Sequence, residues 1–492
     1  MLRKIRIILA TLTMLFVTLL FLDFTGTLHH WFGWLAKVQF LPAVLALNVV
    51  VVAVLLLLTL VFGRIYCSVI CPLGIMQDLI SWLRKKKNRF SHSPEKRWLR
   101  YSVLVVFIAA LVAGIGSFVA LLAPYSSYGR MVTNLLKPLY EGGNNVLASI
   151  AEYYDSYAFY HVDVWVRSLP TFVIALATFV IIAVLAWRGG RTYCNTICPV
   201  GTVLSFFARF SWFKVRFDAD KCRTCSLCSK NCKASCIDYK SHKVDYSRCV
   251  ACGNCLEHCK FDALHYCHSV STAKAAAEEK GDVDKGRRSF LIGTALAMGT
   301  AALAQEKKKV DGGLATIEDK QAPDRKTPLT PPGSLSAKNM ARHCTGCQLC
   351  VAECPNGVLR PSTGLLTLMQ PEMSFERGYC RPECTRCSSV CPAGAIKPIT
   401  REEKTGIQTG HAVWVKKNCL PVADGVECGN CERHCPTGAI TMVQLDENDD
   451  ESPMVPTVDE SRCIGCGACE NLCPARPFSA IYVEGHEVHR NI

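Results

Sequence analysis

The chain predicts an α-helical membrane bundle of four spans, with a fifth apolar segment as a candidate, joined to two α+β modules built around clustered cysteines. Three observations predict it. Four apolar stretches are long enough to cross a bilayer, which takes roughly 20 residues each. Most of the 30 cysteines fall into regularly spaced sets of four. A twelve-residue motif occurs twice, each time behind an apolar stretch. The length of 492 residues sets a prior of about three domains. Half of the residues are hydrophobic and the mean hydropathy is +0.19, as for a chain partly in lipid.

Residues 1–188 are the expected transmembrane domain, with spans near 5–22, 41–62, 101–122 and 170–187. Buried core helices of this length would carry more charge. Lys and Arg set the orientation. The N-terminus is basic, and the link after the second span holds Arg84, Lys85, Lys86, Lys87, Arg89, Lys96, Arg97 and Arg100. The 123–169 loop has only Arg130, Lys137 and Arg167. The N-terminus, the 63–100 link and the segment after Trp187 are therefore expected to be cytoplasmic, and the 123–169 loop to face the other side. That loop holds Tyr125, Tyr128, Tyr140, Tyr153, Tyr154, Tyr157, Tyr160 and Trp165, read as an interfacial aromatic belt. A sharper alternative is a quinol pocket with His161, Asp163 or Glu141 taking protons. No histidine lies mid-span, which disfavours haem.

The repeat is G-R-x-Y-C-x-x-I-C-P-x-G, at 63–74 and again at 190–201. If each copy stays helical up to its proline, cysteines four apart share a face. Cys67, Cys71, Cys194 and Cys198 could then converge. Four thiolates suit a metal centre or a cluster; a redox-active thiol pair and a purely structural helix exit are the other readings.

Residues 189–270 continue into Cys222, Cys225, Cys228, Cys232 and Cys249, Cys252, Cys255, Cys259. Gaps of two, two and three residues wrap three thiolates round one cubane and lend the fourth to a neighbour. This predicts a ferredoxin-like module with two [4Fe-4S] clusters. Disulfide frameworks belong to short secreted domains, and zinc favours separated Cys-x-x-Cys pairs. Lys233 and Lys260 stand where proline usually follows the fourth cysteine. Cys236 is expected to be a small packed residue, and Cys267 is unassigned. The net charge of +14 lies mostly beside the spans and in a linker, so no nucleic-acid partner is expected.

Residues 271–340 form a polar linker interrupted at 286–304. There Arg287-Arg288-Ser289-Phe290-Leu291 precedes an apolar run ending Ala302-Leu303-Ala304, like a twin-arginine export signal. A helix packed in the cytoplasm is the alternative. Residues 341–492 form the second polyferredoxin module. Its sets are Cys344, Cys347, Cys350, Cys354; Cys380, Cys384, Cys387, Cys391; Cys419, Cys428, Cys431, Cys435; and Cys463, Cys466, Cys469, Cys473. All end in Cys-Pro, and the inner two are stretched. That symmetry suggests that outer pairs with outer and inner with inner. Six clusters in all are expected.

Paired C-x-x-x-C-P motifs behind apolar stretches, followed by two cluster motifs, resemble the NapH-type membrane quinol dehydrogenase subunit over residues 1–270. Parts of the pattern resemble NosR-type proteins and copper-reducing oxidase-assembly proteins. Residues 286–492 resemble NapG-type four-cluster ferredoxins, so the chain looks like a fusion of the two. The resemblance implies a multi-pass inner-membrane protein that takes electrons from menaquinol or ubiquinol and passes them to a partner reductase, with residues 189–270 cytoplasmic and 341–492 periplasmic. No nucleophile–base array, phosphate loop or nucleotide fingerprint stands out. The expected chemistry is electron transfer, as a quinol dehydrogenase component; the alternatives are a metal-reducing or assembly factor using the C-x-x-x-C-P thiols, and a redox sensor. An objection to clusters on both faces is that electrons would need to cross roughly 30 Å of hydrocarbon.

Overall fold

The computed structural model describes residues 2–23, 25–84, 90–218, 220–268, 318–446, 448–449 and 451–492. The twin-arginine segment at 286–304 lies outside the described residues. Among the described residues, the helical layer has eight helices of eight or more residues: α1 Leu2–Leu22, α2 Val49–Phe62, α3 Pro72–Leu83, α4 Arg97–Ala113, α5 Pro124–Met131, α6 Lys137–Tyr153, α7 Leu169–Gly189 and α8 Pro199–Ala208.

Among the described residues, only α1 and α7 are long and apolar enough to cross a membrane as single helices. Two of the four expected spans are interrupted. In 41–62, a helix over Phe40–Leu45 stops at Leu47, whose φ is +54°. Asn48 then caps a fresh start by accepting from Val51 N at 3.3 Å. In 101–122, α4 ends on Gly114 at φ +75°, the left-handed stop that glycine adopts without a Cβ clash. A separate helix follows over Gly116–Leu122.

The 123–169 stretch, expected as a loop, is helical for most of its length. Pro124 occupies the first turn of α5, where its missing N–H costs nothing, and a π turn at Val132–Leu136 leads into α6. The physical reason is burial: every residue of α5 is covered. Tyr128 Oη lies 2.5 Å from Thr18 Oγ1 of α1, and the Tyr125 ring sits 5.8 Å from Phe21. Tyr125 and Tyr128 are thus core residues and not part of an aromatic belt. Tyr140, Tyr153, Tyr154, Tyr157 and Tyr160 remain exposed.

Residues 213–268 dock at one end of the layer. Strand Phe213–Phe217 pairs antiparallel with Leu264–His268, which brings the ends of the module together. Arg3 at the start of α1 pairs with Glu257. Arg64 Nη1 and Arg100 Nη2 both donate to Ser247 O, at 3.1 and 3.2 Å. Lys233 has a side-chain role that proline could not fill: its ammonium lies 3.5 Å from Asp78. The structure offers no reason for Lys260.

The 344–391 region docks at the other end. Lys137 Nζ donates to Ala352 O, Arg167 Nη1 to Val351 O at 2.6 Å, and Asn134 Nδ2 to Gln348 Oε1 at 2.8 Å. Beyond the end of α1, Thr25 O accepts from Arg386 Nη2 at 3.0 Å. The 21 residues of α1, about 30 Å at 1.5 Å per residue, therefore separate the two docking sites. The C-terminal module is otherwise short two-stranded ladders: Leu359–Pro361 with Pro371–Met373, Ile407–Trp414 with Ile481–Asn491, and Ile440–Gln444 with Met454–Val458.

Candidate metal centres

The four regularly spaced cysteine sets share one backbone device. Two and four residues after the first cysteine, the chain turns left-handed: Thr224 and Ser226, Ala251 and Gly253, Gly346 and Gln348, Gly465 and Gly467. Alternating hands in so short a run make successive N–H groups converge into a nest that favours an anion, as at many iron–sulfur sites. Gly346 N, for instance, lies 3.4 Å from Cys344 Sγ. Non-glycine residues at four of these eight positions, Thr224, Ser226, Ala251 and Gln348, accept an unfavourable conformation, which a bound anionic cluster would offset.

The thiols line cavities in a three-plus-one pattern. Cys222, Cys225 and Cys228 share one with Cys259. Cys249, Cys252 and Cys255 share the next with Cys232. In the second module, Cys380, Cys384 and Cys387 enclose a space with Cys354, and Cys419, Cys428 and Cys431 one with Cys473. Cys344, Cys347 and Cys350 face Cys391, while Cys463 and Cys466, in the set with Cys469, face Cys435. Sets therefore pair with their neighbours in sequence. The expected outer-with-outer pairing is incorrect, because the short connections keep adjacent sets together.

Among the described residues, no three cysteines bring their sulfurs within 4.8 Å of one another. A zinc ion with Zn–S bonds of about 2.3 Å would require tetrahedral sulfurs about 3.8 Å apart. The spacing suits a larger group, and the nests suit a negatively charged one. Both fit cubanes.

Cys236 is buried, as expected, but it also borders the cavity of Cys249, Cys252 and Cys255, and its Sγ lies 3.5 Å from Cys232 Sγ. Nothing in the motif spacing signals that second feature. Cys267 lies on the strand opposite Lys214 and lines none of the cavities described above.

The repeat does not stay helical up to its prolines. Helices Tyr66–Val69 and Thr192–Thr196 are single turns, and Cys71 and Cys198 lie in extended backbone. The four thiols converge all the same, all buried, and each copy reaches into the other. Arg64 Nη2 donates to Cys194 O at 3.1 Å, and Arg191 Nη1 donates to Cys67 O. Cβ atoms at Gly74 and Gly201 would strike those same carbonyls.

At the opposite end, a cavity of about 910 Å³ is lined by Lys137, Glu141, His161, Asp163, Glu353 and Cys354, among others. It gathers the three side chains singled out as proton acceptors beside a cysteine of a cluster cavity. Burial, with Asp23 nearby, pushes the Glu353 carboxyl up to about 7.

Comparison with known proteins accords with this chemistry. A 4Fe-4S binding domain family matches residues 44–90 and 171–218, and 4Fe-4S dicluster domain families match 245–358 and 426–476. The methylamine utilization ferredoxin-type protein MauM of Paracoccus denitrificans is 30% identical over 202 residues, 38% of this chain and 82% of that protein. The ferredoxin-type protein NapF of Escherichia coli is 28% identical over 161 residues, 32% of this chain and 87% of that one. The putative electron transport protein YccM of Escherichia coli is 26% identical over 202 residues, covering 39% and 47%; the chain thus spans about half of that relative. Nests, three-plus-one cavities and these likenesses agree, and the chain belongs to the ferredoxin-type 4Fe-4S electron-transfer proteins.

Proposed function

We propose that this is a membrane-anchored electron-transfer protein that oxidises quinol and passes the electrons through six [4Fe-4S] clusters to a partner reductase. Their ligands are the three-plus-one cysteine groups described above. The helical layer crosses the inner membrane several times, with the interrupted segments completing the spans that α1 and α7 begin. Residues 189–270 face the cytoplasm and 341–492 the periplasm.

The observation that carries the reading is the 910 Å³ cavity. Oxidation of a quinol releases two electrons and two protons, so a site needs proton acceptors and an electron acceptor together. Glu141, His161 and Asp163 supply the first, and the cluster beside Cys354 supplies the second. The residues bind and orient the ring and take protons; the cluster, when bound, supplies a one-electron acceptor.

The test is anaerobic addition of a menaquinol analogue to the full-length protein, following loss of visible iron–sulfur absorbance. Reduction is expected, with Glu141→Gln slowing it at least tenfold at unchanged iron content. Reduction by dithionite but not by quinol would overturn the quinol donor. Stoichiometric copper binding without any quinol response would favour the assembly-factor reading instead.

A further inference from the structure

The two cysteine-rich modules dock at opposite ends of one helical layer, and neither end explains how they communicate. Between them lies the site where the two copies of the repeat meet. Each matched 4Fe-4S binding segment, 44–90 and 171–218, contains only two cysteines. Neither segment can complete a four-thiolate centre alone.

Charge shows what the site lacks. Arg64 is fully buried. Its partners are Asn195 Oδ1 at 2.8 Å, the carbonyls of Ser247 and Cys194, and Cys67 Sγ at 3.8 Å. No carboxylate pairs with it among the described residues. Arg191, also fully buried, shares Asp78 with Arg6 and Lys233, at 2.9, 3.0 and 3.5 Å. Arg64 and Arg191 thus face the repeat thiols, and the one carboxylate beside them, Asp78, is shared by three cations. Buried charge in that excess is costly unless an anion offsets it. A two-iron or four-iron cluster in its oxidised form carries two positive charges against four thiolates, leaving a dianion.

The competing occupants fit less well. All four cysteines are free of disulfides. No three of their sulfurs lie within 4.8 Å of one another, which is too loose for one zinc or copper ion. Gln77 Nε2 points at Cys194 Sγ from 3.2 Å and Gly201 N at Cys198 Sγ from 3.3 Å, as donors do toward cluster thiolates.

The location is equally specific. On one side, Arg64 ties Cys67 to Ser247, two residues before Cys249. On the other, Tyr193 Oη donates to Leu122 O at 2.9 Å, next to the turn that starts α5. There the buried Tyr125 faces Cys347 and Cys391, and Arg130 faces both Tyr193 and Cys347.

We infer that Cys67, Cys71, Cys194 and Cys198 together hold one further iron–sulfur cluster, which carries electrons through the helical layer between the two modules. Each step moves one electron: the cluster nearer the donor is oxidised as this centre is reduced, and the centre is reoxidised as the next cluster gains the electron. No proton or bond change is required. The inference stands whether or not quinol is the donor.

The test counts iron and acid-labile sulfide in the full-length protein purified anaerobically, alongside Mössbauer spectra. Six cubanes account for about 24 irons per chain. The expected wild-type count is about 26 if the extra centre has two irons, or about 28 if it has four. Cys71→Ser with Cys198→Ser should return the count to about 24 and leave the six remaining clusters spectroscopically unchanged. In proteoliposomes, an impermeant reductant applied on one side should reduce both modules in the wild type and one module in the variant. A wild-type count of about 24 with four additional alkylatable thiols would overturn the inference whether or not the variant folds. So would full reduction of both modules in a folded variant.

Discussion

Cys236 is placed to tune the cluster proposed for Cys249, Cys252, Cys255 and Cys232 rather than to bind it. Its S–H, 3.5 Å from Cys232 Sγ, is a weak donor toward a ligand sulfur, and such donors raise a cluster's potential. Cys236→Ala is expected to keep all iron and lower one potential by on the order of 40 mV, one hydrogen bond of about 1 kcal/mol over one electron. A redox titration monitored by electron paramagnetic resonance checks it; loss of iron would instead make Cys236 a ligand. Gly467 is under a harder constraint. At φ +77°, it lies where any Cβ would be driven into the Phe375 ring. Gly467→Ala should destabilise the nest by at least about 1–2 kcal/mol from the left-handed backbone alone and selectively deplete the cluster of Cys463, Cys466 and Cys469, measured by iron content. His489 carries a pH effect. Burial, with His486 nearby, holds its pKa at about 4, below the usual 6.5, and Thr330 Oγ1 sits 3.0 Å from its Nε2. The unfolded chain therefore takes up the proton first on acidification. The stability involved is complete above pH 6.5 and is lost as pH falls toward 4, up to about 3 kcal/mol. His489→Gln should flatten that decline, seen as hydrogen exchange in the Ile407–Trp414 and Ile481–Asn491 ladder compared at pH 7 and pH 5.

At the scale of elements, what could be read from the sequence followed the strength of the local signal. The spacing of Cys222, Cys225 and Cys228 is a local signal, and each regular set turns left-handed two and four residues after its first cysteine. Apolar length was a weaker guide, because it does not register Leu47 or Gly114, single residues at positive φ that split two expected spans. The helical course of 124–153 was hidden for another reason. Tyr, Ser and Gly in α5 look like loop residues until Phe21 and Thr18 of α1 bury them. Tertiary contact also fixes the pairing of the C-terminal sets, which symmetry of spacing misjudged. The contacts that Lys137 of α6 and Arg167, just ahead of α7, make with the helix Leu349–Glu353 yield a prediction at this scale. Lys137 and Arg167 donate to the carbonyls of Ala352 and Val351, near that helix's C-terminus, where cations are favourable. Replacing both with Met should cost about 3–6 kcal/mol of docking, at roughly 1.5–3 per charged hydrogen bond. Faster proteolysis and exchange across 344–391 should result, with 213–268 unaffected.

For the whole molecule, the governing fact is that one apolar core runs unbroken from α1 through both repeat copies to Leu349, Phe375 and Ile396. The C-terminal module is thus part of the same packed body as the helices and not a tethered afterthought, although residues 271–340 are expected as a polar linker. This disposes the two modules about 30 Å apart along α1, the thickness of a bilayer's hydrocarbon. The cluster inferred at the converged repeat cysteines would supply the relay whose absence is the objection to modules on opposite sides. Sidedness is the consequence that can be measured. The Arg3–Glu257 contact fixes the N-terminus of α1 on the side of the 213–268 module, and Arg386 with Thr25 fixes the second module on the other. A disulfide-dependent reporter fused after Ile492 should be active, as in an oxidising compartment, and the same reporter ahead of Met1 inactive. Replacing Arg287 and Arg288 with Lys should abolish the C-terminal activity if that segment drives export. Equal inactivity at both ends of the unmodified chain would put both modules in the cytoplasm, and the helical layer would then be an interior wall of the protein instead of a membrane crossing.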